Sequence, residues 1–61
     1  MAYIEFAYTN ICGITQFEGI YFNTNADTWH DMVADALMAL AVWSESHNEK
    51  AEPMRLNGNA L

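Results

Sequence analysis

Between Ala26 and Ser46 the chain has neither glycine nor proline, is rich in Ala, Leu and Met, and repeats its apolar residues at helical spacing. A helix of that length spans about 30 Å. In a chain of 61 residues it takes a third of the sequence, leaving room for little more than a few strands to cover one of its faces. The helical phase gathers Trp29, Met32, Val33, Ala36, Leu37, Leu40 and Trp43 into a core-facing stripe. Thr24, followed three residues later by Asp27, offers an N-terminal cap.

Two β-rich segments precede the helix. Tyr3 to Thr9 alternates, with Ile4, Phe6 and Tyr8 on one face and Tyr3, Glu5, Ala7 and Thr9 on the other. Asn10 to Gly13 supplies turn residues, and Ile14 to Phe22 reads as a second strand with Phe17 and Tyr21 opposite in face to Ile20 and Phe22. The expected fold class is α+β, a two-stranded antiparallel hairpin packed on one long amphipathic helix (ββα). Residues 1–52 form the single domain. Pro53 stops any helix that reaches it. Residues 53–61 are expected to be a polar, mobile tail, with a short third strand at Met54 to Leu56 (ββαβ) as the alternative.

A domain this small buries only about 60% of the surface its unfolded chain exposes, which leaves little structure to wall a catalytic cleft. No Ser-His-Asp order, glycine-rich phosphate loop, CxxC or HExxH pattern occurs, and an enzyme is not expected. One cysteine, Cys12, closes no internal disulfide, so either the core is efficient or self-association completes it. Neither Asp27 with His30 nor Asp31 with Asp35 makes a three-ligand metal site, and no cofactor is expected. His30 should flank the apolar stripe, partly buried. With no signal peptide or membrane span, the expected compartment is cytoplasmic.

Charge directs the functional reading. Eight acids face only Lys50 and Arg55, for a net −6, and residues 1–49 carry no Lys or Arg. Such a surface repels phosphate backbones and anionic lipids, so direct nucleic-acid or membrane binding is not expected, whereas a protein partner with a basic surface fits. The helix face away from the core stripe collects Asp27, Asp31, Asp35 and Glu45, with Met38 and Val42 between them when viewed down the axis. An apolar centre rimmed by charge is the pattern of a contact patch, and these six residues are the candidate partner-binding site. The three aspartates, four residues apart, are spaced about 6 Å along the axis, close to the separation of successive phosphates on one nucleic-acid strand. The exposed side of the hairpin around Tyr3, Glu5 and Glu18 is the second candidate.

In size, acidity and lack of catalytic motifs the chain resembles the short phage-encoded proteins that block host enzymes, some of which are DNA mimics in charge distribution. That resemblance implies host takeover by an inhibitor or regulator that docks its acidic helix face onto a basic surface of a nucleic-acid-handling protein. The alternative is a homo-oligomeric structural or accessory protein, a homodimer in the simplest case, that uses Met38 and Val42 as its self-association patch.

Overall fold

A computed structural model describes all 61 residues. The chain runs β1 (Ala2–Thr9), β2 (Thr15–Phe22), α1 (Trp29–His47), β3 (Ala51–Leu56) and β4 (Asn59–Ala60). The strands form one antiparallel sheet in the order β2-β1-β3-β4. The helix covers one face of it, and the molecule measures 39 × 21 × 15 Å.

The expected hairpin forms with the expected faces. β1 and β2 pair from Ala2↔Phe22 to Thr9↔Thr15, so Ile4 and Ile20 share the helix side while Tyr3 and Tyr21 share the open side. The turn is held by Asn10, whose Oδ1 accepts from the backbone N–H groups of Cys12 (2.9 Å) and Ile14 (3.0 Å). Gly13 takes φ +78°, a left-handed conformation in which a side chain would be strained.

The helix begins later than expected. Thr28, not Thr24, caps it, accepting from the Asp31 N–H at 3.2 Å. Thr24–Asp27 and Thr28–Asp31 are the same Thr-x-x-Asp pattern four residues apart, and the chain between β2 and the helix needs the first of them as connection. Asn48 ends the helix in the left-handed region, φ 53°, and Glu49 N–H closes back on the Ser44 carbonyl at 3.1 Å.

The core-facing stripe is turned relative to expectation. Ala36 and Leu40 are buried, flanked by Met32, Val33, Ala39 and Trp43, while Leu37 is 44% and Trp29 43% exposed. The cause is the helix position: α1 packs across β3 and β1 and leaves β2 largely uncovered, so the side chains that meet the sheet centre on Ala36 and Leu40. Trp43 meets Phe6 edge to face (centroids 4.6 Å) and a tilted Tyr8 (5.0 Å), and His47 lies flat against Trp43 at 4.2 Å.

Residues 53–61 are not the expected tail, and the third-strand alternative prevails with a fourth strand beyond it. β3 pairs with β1, placing Leu56 against Ile4 with neither exposed to solvent. Met54 is the extra residue of a bulge between the Arg55 and Pro53 pairings. Pro53 is tolerated because β4 reaches only Arg55 and Leu56, so no neighbour requires its missing N–H. Asn57 (φ 51°) and Gly58 (φ 82°) make the two-residue turn into β4, the Asn-Gly hairpin signature. Asn57 is also fastened to β1: its N–H donates to the Tyr3 carbonyl, and the Tyr3 N–H donates to its Oδ1, each at 2.9 Å.

Candidate functional site

Helical phase places Asp31, Asp35, Met38 and Val42 on the side of α1 away from the sheet, and all four are exposed. They line one wall of an open groove of about 760 Å³. The other wall comes from Met1, Phe22 and the connection Asn23 to Ala26, which rises from the end of β2. Met38 is 70% and Val42 64% exposed, so a solvated apolar strip continues this wall along the helix beyond the two carboxylates.

The groove is held in shape by one polar contact. Thr24 Oγ accepts from the Ala26 N–H at 3.0 Å and donates to Asp35 Oδ2 at 2.6 Å, tying the β2–α1 connection to the helix. Asp35 therefore positions the wall as well as charging it. Asp31 lies in the first helical turn, where the dipole favours a negative charge.

Two of the six expected residues stand apart. Asp27 precedes the helix, so the three-aspartate row spaced like phosphates does not form, and only Asp31 and Asp35 keep the helical spacing. Glu45 is exposed on α1 but does not line the groove. His30, expected to be partly buried, is exposed. The connection Asn23–Ala26 was missed as a site element because its role depends on where it folds back, which no local pattern encodes.

The open face of the sheet is the second apolar surface. Tyr3 and Tyr21 pack with centroids 4.7 Å apart, Phe17 is 72% exposed beside them, and Met54, Glu5 and Arg55 complete a shallow depression. The Tyr3 ring lies directly over Gly19, whose missing side chain makes room for it. Cys12 is a free, exposed thiol in the hairpin turn. No group of three or more His, Cys, Asp or Glu side chains could hold a metal ion, and no helix is long and apolar enough to cross a membrane.

Compared with family models, with curated proteins and with solved structures, the chain gives no significant match to any of them.

Proposed function

We propose that the chain is a small acidic protein-binding module that receives a basic surface segment of its partner in the groove beside α1. The observation that carries this reading is the convergence of Asp31, Asp35, Met38 and Val42 on one concave surface from which both basic residues are absent. Arg55 lies in the depression on the opposite face, and Lys50 lines another with Ala7 and Thr9. Carboxylates attract a cationic segment and steer its approach, while burial of Met38 and Val42 would slow its departure.

The partner class that fits is a nucleic-acid-handling protein, whose basic surface is accustomed to phosphate, and occupation of that surface makes the module an inhibitor or regulator in the cytoplasm of a phage host. With Asp27 off the helix, mimicry of a phosphate track rests on net charge and not on a matched row. Self-association through Met38 and Val42 is the second reading, favoured by their exposure.

The test is affinity capture from a host lysate with two baits, the natural chain and Asp31→Asn/Met38→Ser. The expected outcome is a basic protein retained by the first and lost from the second. Equal retention by both would remove the groove as the interface.

A further inference from the structure

β2 is an edge strand whose only usual protection is one charged side chain, Glu18. Its outer side is unpaired over Thr15–Phe22, it contains no Pro, Lys, Arg or bulge, and the helix leaves it largely uncovered. Natural edges are blunted by such devices because free backbone N–H and C=O groups template pairing with another strand. The opposite edge shows the contrast: β4 is two residues long and follows directly on the Asn57-Gly58 turn. Charge singles out the same strip. Between Glu5 and Asp27 the only charged residue is Glu18, so a chain of net −6 is least repelled by its own copy here.

The backbone phase of the free edge follows from the ladder. Tyr3 directs both its N–H and its C=O to Asn57 on the β3 side, so the Tyr3–Tyr21 pair is not hydrogen-bonded across β1 and β2. Alternation along the ladder then points the N–H and C=O groups of Thr15, Phe17, Gly19 and Tyr21 outward, away from β1.

The geometry points to a second copy of this chain as the occupant: two β2 strands pair antiparallel about a two-fold axis through Gly19, joining two four-stranded sheets into one. Side chains of a pair must share a face, which puts the axis on a residue and not between residues. An axis on Glu18 sets that carboxylate against its own copy. An axis on Ile20 leaves Gln16 and Phe17 without strand partners. On Gly19, everything from Gln16 to Phe22 is paired, Glu18 faces Ile20, and Phe17 faces Tyr21 on both sides of the axis, an aromatic pairing that stabilises sheets. Tyr3, already lying over Gly19, adds its ring to the strip at the centre of the joined open face. The dimer is isologous, and pairing consumes both free β2 edges.

Analytical ultracentrifugation of the full chain over a concentration series should show a monomer–dimer equilibrium that tightens as salt is raised, because screening relieves the repulsion between two acidic copies. A basic partner in the groove would show the opposite salt dependence. Phe17→Pro removes an N–H that points away from β1, so it should leave the circular dichroism unchanged and raise the dimer dissociation constant roughly a hundredfold. Phe17→Lys should weaken the dimer and Phe17→Lys/Tyr21→Glu should restore it, since the two introduced charges face each other only in the Gly19 register. A monomer at every concentration would overturn the proposal, as would a dimer indifferent to Phe17→Pro or one abolished by Met38→Ser. Failure of the double variant to restore pairing would overturn the register.

Discussion

β1 and β2 are neighbours of equal length, each with three aromatic residues, one isoleucine and one glutamate, yet their fates differ. Ala2, Ile4 and Phe6 of β1 are sealed in the core, whereas Phe17 and Tyr21 of β2 stand in solvent and only Phe22 is buried. Their large side chains do not separate them. β1 has a strand on each side and the helix above it, while β2 has one neighbour and little cover. Burial is set by position in the sheet, and in a chain with a single helix only about two strands can lie beneath it.

The largest effect should come from making β1 resemble β2. Truncation after Glu52 removes Leu56 and the pairing partner of Ile4, giving the central strand a free edge and opening the core. A chain of this size has a stability of roughly 3 to 9 kcal/mol, and losing a buried leucine costs about 2 to 5 of it before any ladder bonds are counted. Thermal melting followed by circular dichroism should show no cooperative transition. A truncated chain that melts normally would mean β3 is dispensable.

A smaller contrast compares one aromatic residue from each strand. Phe6→Ala should cost about 3 to 5 kcal/mol in urea unfolding, because the ring is fully enclosed against Trp43. Phe17→Ala, measured below the concentration at which chains associate, should stay within about 0.5 kcal/mol. Similar losses at the two positions would show that β2 is covered in the monomer. A small effect is also expected at Gly19→Ala, where a Cβ displaces the end of the Tyr3 ring and not backbone. A cost under about 1 kcal/mol is expected, with a change in tyrosine near-ultraviolet dichroism as the Tyr3–Tyr21 contact shifts.

Local pattern carried the hairpin and its faces, because alternation in Ile4, Phe6 and Tyr8 has one solution when a single face is covered. It also carried the outward phase of Asp31, Asp35, Met38 and Val42. The helix start was not legible between two equal Thr-x-x-Asp caps, since only the span from β2 to the helix decides between them. With the cap went Asp27, and with Asp27 the phosphate-like row. The third strand was obscured by Pro53, which reads as a breaker until one knows that no strand pairs with its nitrogen side. The signal that could have revealed it was Asn57-Gly58 between Leu56 and Ala60, the strongest short-range hairpin mark in the chain. The groove was illegible in principle, because its second wall is a connection whose only fastening is Thr24 to a carboxylate eleven residues away.

The double clasp between Tyr3 and Asn57 makes the order of synthesis matter. The central strand leaves the ribosome well before its second partner, β3, which is encoded some fifty residues later. Until Leu56 has emerged, Ile4 and Phe6 have half a binding site, and the nascent chain is a hairpin with one greasy side. At about 5 to 20 residues per second that exposure lasts some seconds, long compared with the microseconds in which a hairpin forms. Folding here waits on translation, and whatever shields an unfinished sheet in the cell has its opportunity in that interval.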